Sequence, residues 1–372
     1  MSSLIKQKTI RKEVSFQGTA LHTGFKSKLK LIPADNNKGI VFIRKDIKKK
    51  NIIKASWNNV SNTKLCTTIS NKFGVTVSTI EHLMSAISAL QIDNLKIEIS
   101  CSEVPILDGS SKIYFKKISD IGVVSQKKNK QFIKILKKVS VKNGTSQASL
   151  SPSKNNFDIS YKLNYAHPLI KKERYSININ KNNFKNEIAP ARTFGFIEEY
   201  KKLKKAGLAK GASLNNCIVL NGKKILNKTG LRYKNELIRH KILDVIGDLH
   251  LSGYSILGHF KGEKSGHKTN NELLKKIFSD KSSFTLVNMN KANKKENTQK
   301  DKNTLLADIS KLQEELSNEF HVSKFMIWTQ ATTKELFEKQ PKTIEDLNQL
   351  QTLKEKKIKM FGDRIVKLFN GS

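Results

Sequence analysis

Residues 235–251 read Asn235-Glu-Leu-Ile-Arg-His-Lys-Ile-Leu-Asp-Val-Ile-Gly-Asp-Leu-His-Leu251, and the rest of the chain is organised around them. Apolar residues at Leu237, Ile238, Ile242, Leu243, Val245, Ile246 and Leu249 recur at helical spacing, which predicts an amphipathic helix. His240 and Asp244 lie four residues apart. On a helix their side chains stand one turn above each other, roughly 6 Å apart at Cβ, and both can reach one divalent cation. Asp248 extends the stripe by another turn, and Lys241 stands beside it. A His/Asp pair at this spacing is more often a solvated helix face, so the metal reading needs support from elsewhere in the chain.

Two other stretches supply it. Val75–Leu90 predicts a helix capped by Ser78 or Thr79, with Ile80, Leu83, Met84, Ile87 and Leu90 on one side. Glu81 and His82 fall side by side in its first turn. A negative residue there suits the helix dipole; it also sets an acid–base carboxylate next to a metal-binding imidazole. Downstream, Gly262-Glu-Lys-Ser-Gly-His267 places His267 behind a Gly-rich turn at a strand end, where a side chain projects into a cleft.

The 372 residues, 37% of them hydrophobic, suffice for two or three domains. No apolar run approaches the roughly 18–20 residues of a transmembrane helix. Met1–Lys12 has no hydrophobic signal core, so an unprocessed, cytoplasmic chain is expected. Cys66, Cys101 and Cys217 form no C-x-x-C pair, which argues against a thiolate zinc site or a disulfide scaffold and fits a reducing compartment. The net charge of +37 invites a nucleic-acid reading. Yet the 69 basic residues are seven Arg and 62 Lys, whereas nucleic-acid sites favour the bidentate Arg fork. Lys with abundant Asn, Ile and Phe is the mark of an AT-biased composition. A basic surface still attracts anionic substrates or an anionic membrane face.

In chain order, strand-like segments alternate with turns to about residue 60, followed by the Val75 helix, a strand at Asn94–Ser100 and the turn Glu103-Val-Pro-Ile-Leu-Asp-Gly-Ser110. Gln126–Gln131 is a polar, Lys-rich joint, beyond which strands followed by a polar-capped helix recur loosely, suggesting an internal duplication. Asn288–Asn303 is polar and without periodicity, which reads as a linker. Leu305–Leu368 is helical throughout, and residues 304–372 carry net +1 against +36 for residues 1–303.

His82, His240 and Asp244 make a three-ligand set of the kind that catalytic zinc uses, with a fourth position open for water. Zinc draws the pKa of that water toward about 7. Glu81 is placed to take its proton and His267 to protonate a leaving amine. These residue types suffice for hydrolysing an amide.

The motifs in order are Ala20-Leu-His-Thr-Gly24, Leu65-Cys-Thr67, Ser78-Thr-Ile-Glu-His-Leu83, Pro105-Ile-Leu-Asp-Gly-Ser110 and Arg192-Thr-Phe-Gly-Phe196. Gly230-Leu-Arg232, Arg239-His-Lys-x-x-Asp-x-x-Gly-Asp248 and Lys264-Ser-Gly-His267 complete them. Together, over about residues 4–288, they resemble the UDP-3-O-acyl-N-acetylglucosamine deacetylase (LpxC) family, which catalyses the committed step of lipid A synthesis in Gram-negative bacteria.

The resemblance implies an α+β fold of two duplicated domains, each a mixed β-sheet packed on helices, with the active site between them. A small all-α C-terminal domain follows. The expected divisions are 1–127, 128–288 with an acyl-passage insert at about 195–222, a linker at 289–303 and a helical domain at 304–372. It implies zinc on His82, His240 and Asp244, with Glu81 as general base and His267 as general acid held by Asp248, itself near Lys241. It implies Thr193 as a donor to the amide oxygen, and Lys241, Phe194, Ile197 and His22 along a UDP-acyl-amino-sugar substrate. The same His₂-carboxylate set accepts Fe²⁺ as well as Zn²⁺. Lys210 stands where the family often has an apolar residue; pointing inward, it would shorten or charge the passage. His167, His250, His259 and His321 read as ordinary polar or partly buried histidines, and Cys66 and Cys217 as core residues.

Asp308-Ile-Ser-Lys-Leu-Gln-Glu-Glu-Leu316, Phe325-Met-Ile-Trp-Thr-Gln-Ala-Thr-Thr333, Gln340-Pro-Lys-Thr-Ile-Glu-Asp-Leu347 and Lys356-Lys-x-x-x-Phe-Gly-Asp363 resemble an HRDC domain. That family includes nucleic-acid binders and protein-interaction modules. At net +1 this copy lacks the basic footprint of DNA binding, which favours a protein-docking or structural role. The rival to the enzyme reading is a non-catalytic nucleic-acid- or protein-binding chain on a deacetylase scaffold. Such a scaffold is expected to lose ligands, and none of the five chemistry residues is missing.

Overall fold

The computed structural model describes residues 4–164, 169–170 and 172–370, and of 291–304 the backbone alone; His167 lies outside them. Residues up to Asn290 form one compact unit, and those from Lys291 onward a second.

The first half of the body builds a five-stranded mixed sheet in the order Val14–Thr19, Lys26–Pro33, Leu95–Ile99, Ile40–Arg44, Ile52–Lys54. Strict alternation explains it: Leu29, Leu31, Leu95, Ile97 and Ile99 turn to the buried face while Lys28 and Lys96 turn outward. Helices α1 (Glu81–Ala89) and α2 (Lys112–Ile121) add Leu83, Ile87, Tyr114, Phe115 and Ile118 to the same core. The second half is a seven-stranded mixed sheet around Ser255–Glu263. That strand runs parallel to Gln131–Ile135 and Phe157–Leu163 and antiparallel to Ser146–Ser151. Helix α3 (Ile197–Lys205) and a three-stranded sheet of Phe194–Phe196, Ile218–Asn221 and Lys224–Ile225 form the insert. Helices α4 (Glu236–His250) and α5 (His267–Ser279) complete the body, which is α+β as expected.

The cap read for α1 needs correction, and the solvated-face alternative for the α4 stripe falls. Every residue of α4 except Lys241 is buried, so its polar stripe is not a solvated face. The stripe is covered by α1, which packs against α4. A Cβ at Gly247 would lie 2.1 Å from the carbonyl oxygen of Glu81, so only glycine lets the two backbones meet there. In α1 the N-cap position is Ile80, with no side-chain cap, rather than Ser78 or Thr79. Thr79 sits in the left-handed region at φ 58° and gives its hydroxyl to Glu103 Oε1 at 2.9 Å instead.

The Lys-rich joint is ordered. Val123–Asn129 pairs antiparallel with Lys6–Ile10, so the boundary expected at 127/128 falls inside a strand. Just beyond, the Lys130 side chain is 1% exposed and its ammonium lies 2.7 Å from Asp93 Oδ1. Near it, burial above all, with the Lys130 charge adding to it, pushes the His250 imidazole down to about 3. The ordinary histidine value is about 6.5. Between these values the unfolded chain binds a proton that the folded chain refuses, so this contribution is complete above about pH 6.5 and is lost as pH falls. Going from pH 7 to pH 5 is expected to cost about 2 kcal/mol through His250 alone. Urea midpoints at the two pH values should therefore drop less in His250→Gln than in the wild type; equal drops would rule the account out.

The second unit holds α6 (Lys291–Glu319), α7 (Gln330–Lys339) and α8 (Glu355–Asn370), with short helices at Lys324–Ile327 and Ile344–Leu347. Its own core includes Ile309, Leu316, Trp328, Leu336, Leu347, Phe361 and Ile365. Thr343 and Asp346 close a capping box at Ile344. Most of the stretch read as a linker, 289–303, belongs to α6. No Gly or Pro interrupts residues 291–319, and their Lys, Glu, Gln and Ala are good helix formers, so low apolar content did not stop the helix. Among the described residues no helix is long and apolar enough to cross a membrane.

Candidate active site

The α1–α4 crossing brings His82, His240 and Asp244 together, all buried, with one ligand atom of each within 4.8 Å of the others. Asp244 Oδ1 is 3.4 Å from His240 Nε2 and 3.8 Å from His82 Nε2, and the two imidazoles stand edge to face, 4.9 Å apart. His240 Nδ1 lies 3.1 Å from the Ala191 carbonyl, a contact that assigns the proton to Nδ1 and turns the Nε2 lone pair toward the cluster. Burial depresses both imidazoles, His82 to about 3 with His240 adding to it, so both rings are neutral. Burial pushes the Asp244 carboxyl up, but Lys241, His240 and the other nearby imidazoles outweigh it and hold it well below the usual carboxylate range. Two neutral imidazoles and one carboxylate are a donor set that a divalent metal ion fits.

Beside the cluster stand a carboxylate, Glu81, and a third imidazole, His267. Glu81 is 3% exposed, and burial raises its carboxyl to about 7, against the opposing pull of His267. His267 opens α5, and its Nδ1 is 2.9 Å from Asp248 Oδ2. Burial lowers that imidazole, but Asp248 more than reverses it, raising it to about 9. His267 Nε2 and Glu81 Oε1 are 3.9 Å apart, too far for a hydrogen bond and near enough to act on one substrate atom between them. At neutral pH this pairs a proton-accepting carboxylate with a proton-donating imidazolium.

These groups open on a cleft of about 230 Å³, also lined by Leu21, His22, Leu65, Cys66, Thr193, Phe194, Phe196, Glu199 and Lys241. Its walls are tied together by buried carboxylates. Glu236, fully buried, takes two hydrogen bonds from the Arg192 guanidinium at 2.9 and 3.0 Å and one from the Arg192 backbone at 2.9 Å. That fixes Thr193 and Phe194 next to α4. Gly109 O accepts from Thr193 N at 2.8 Å. Gly109 combines φ +80° with a Cβ direction that would meet Asn216 O at 1.9 Å, so no other residue fits. Glu103 receives the backbone N–H groups of His22 and Thr23, both at 2.8 Å, and holds the 20–24 turn against the cleft.

Residues 7–279 match the family model of UDP-3-O-acyl N-acetylglycosamine deacetylase (LpxC), about three-quarters of the chain. The chain belongs to the LpxC family. The UDP-3-O-acyl-N-acetylglucosamine deacetylase of Haemophilus ducreyi is 42% identical over 286 residues, covering 76% of this chain and 94% of its own. The Syntrophus aciditrophicus protein of the same name is 40% identical over 279 residues, covering 75% and 88%. Residues 302–368 match the HRDC domain. A solved structure, the third HRDC domain of D. radiodurans RecQ, is 33% identical with a TM-score of 0.18, covering 18% of this chain and 91% of its own.

Within this LpxC body, Ile197 alone of the sequence-predicted substrate residues stands off the cleft lining. Lys241 bonds Asp244 Oδ2 at 2.8 Å, while the hydrogen bonds of Asp248 go to Thr67, His267 and Asn270. Ile197 is half-buried at the start of α3 and does not line the cleft; Glu199, one half-turn on, does. Lys210 is exposed and absent from the cleft lining, its backbone N–H bonded to His22 O at 3.1 Å, so it does not charge this cleft. His22 lines the cleft, and both its ring nitrogens are buried without a hydrogen-bond partner among the described residues. Sequence reasoning gave no role to the buried anchors Glu236, Asn270 and Thr67, although Thr67 closes the motif Leu65-Cys-Thr67; for the α1–α4 contact a local signal was Gly247, a helix-breaking residue in mid-helix, costly by about 1 kcal/mol unless packing requires it.

Proposed function

We propose that the chain hydrolyses the N-acetyl amide of UDP-3-O-acyl-N-acetylglucosamine, releasing acetate and the free amino sugar, with zinc as cofactor. The observation that carries this reading is the convergence of His82, His240 and Asp244 with Glu81 and His267 on one cleft, in a chain of the LpxC family. A divalent ion held by the three ligands supplies Lewis acidity, polarising the amide carbonyl and acidifying water. Glu81 removes a proton from the attacking water as the C–O bond forms. The Thr193 hydroxyl donates to the amide oxygen as it gains charge. His267, kept protonated by Asp248, delivers its proton to the nitrogen as the C–N bond breaks. Phe194, Lys241 and His22 flank the sugar, and Lys241 offers its charge to the nucleotide phosphates.

On this reading the chain acts at the committed step of lipid A synthesis, in the cytoplasm, with the acyl chain passing along the 195–222 insert. For the HRDC unit we propose a protein-docking or structural role, because acidic and basic residues nearly balance in 304–372.

The test is metal content and deacetylase turnover on purified protein, full length and ending at Asn290. One zinc per chain and matching turnover in both supports the reading and makes the helical unit an accessory. No metal and no turnover, with salt-sensitive binding to DNA or RNA, would hand the chain to the non-catalytic alternative.

A further inference from the structure

Thr67 touches both proton-carrying groups of the site. Its backbone N–H donates to Glu81 Oε2 at 3.1 Å, and its hydroxyl donates to Asp248 Oδ1 at 2.6 Å. The residue is 2% exposed, as is Asp248, so neither bond competes with bulk water. The other carboxylate oxygen of Asp248 accepts from His267 Nδ1 at 2.9 Å and from Asn270 Nδ2 at 2.8 Å. Asp248 Oδ1 accepts from Thr67 alone among the described residues. The loop is bent to reach this position: Leu65, two residues earlier, adopts φ 71°, which is strained for a leucine, and both Leu65 and Cys66 line the cleft. The threonine comes from the first half of the body, the Asp248–His267 pair from the second.

From these contacts we infer that Thr67 is a positioning residue that sets the geometry of acid and base together. Resting on the deacetylase reading, it goes beyond it by naming what fixes the pair. The amide locks one oxygen of Glu81, leaving Oε1 to face His267 and the cleft. The hydroxyl locks the plane of Asp248, and through it the direction of the His267 ring. A buried charged acceptor stripped of its donor reorients or draws in water, and a small misplacement of a proton donor is costly in rate. Asn270 pins the same carboxylate from the other side but does not reach Glu81.

The test compares Thr67→Val, which keeps shape and backbone N–H but removes the hydroxyl, with Thr67→Ser, which restores it. Thr67→Val is expected to retain the metal, to leave KM within about twofold and to lower kcat by about 10- to 100-fold; Thr67→Ser recovers most of the loss. In a His267→Gln background the same valine should cost little, because its effect runs through His267. An activity-independent readout is the ¹⁵N-histidine spectrum, where the His267 Nδ1–H signal should move in Thr67→Val and return in Thr67→Ser. Unchanged kcat with an unmoved signal overturns the inference, as does a loss undiminished in the His267→Gln background. A wild-type chain inert toward the sugar nucleotide, with the signal still moving, keeps the positioning role and sinks the substrate reading alone.

Discussion

Glu81→Gln is expected to fold, to keep its metal ion and to lose about 100- to 10,000-fold in kcat, the usual range for removing a positioned general base. The glutamine preserves shape and can still accept from Thr67 N, which lies 3.1 Å from Oε2. It cannot take a proton. The native carboxyl suits that task because burial raises it to about 7, so near neutrality it exists in the accepting form and yet holds a proton well once it has one. Its backbone is equally constrained, since α1 and α4 cross at Glu81 O and Gly247. Metal analysis beside steady-state kinetics separates the outcomes. Normal turnover with normal metal would remove Glu81 from the base role and leave His267 as the candidate for both proton transfers.

The existence and type of the long elements were legible because apolar spacing is local. Leu237, Ile238, Ile242, Val245 and Leu249 specify a helix whatever covers it. What covers it was not legible. A polar stripe facing solvent and one facing a metal cleft have the same composition, and here α1 makes the difference, through contacts between residues far apart in sequence. The candidate metal trio and Glu81 stood out because catalytic residue types are rare on apolar helices. Their pairings with the supports did not: Thr67 meets Asp248 across 181 positions and Arg192 meets Glu236 across 44, and no periodicity encodes such pairs. Glu236 sits in the first turn of α4, where an acidic residue is already accounted for by the helix dipole. The misread linker has a matching cause: helix propensity in 291–303 is carried by Lys, Gln and Glu, which also mark disorder.

Asp244→Ala is expected to empty the site of metal and, with it, to abolish turnover. The variant leaves two neutral imidazoles, whereas the native trio includes a carboxylate held ionised by Lys241 at 2.8 Å and by the protonated His267. That anion is the sole negative charge in the ligand trio, so its loss removes both a donor atom and the electrostatic attraction for a divalent ion in a buried site. The thermodynamic signature does not depend on activity. At zinc a hundredfold above its dissociation constant, binding stabilises the folded chain by about 2.7 kcal/mol, so added zinc should raise the wild-type Tm and leave that of Asp244→Ala unmoved. Asp244→Asn separates charge from shape: it keeps an oxygen donor in place, so it should bind more weakly than the wild type and more tightly than the alanine variant. Stoichiometric metal in Asp244→Ala would show that the ion is held elsewhere, and the assignment of His82 and His240 as its ligands would fall with it.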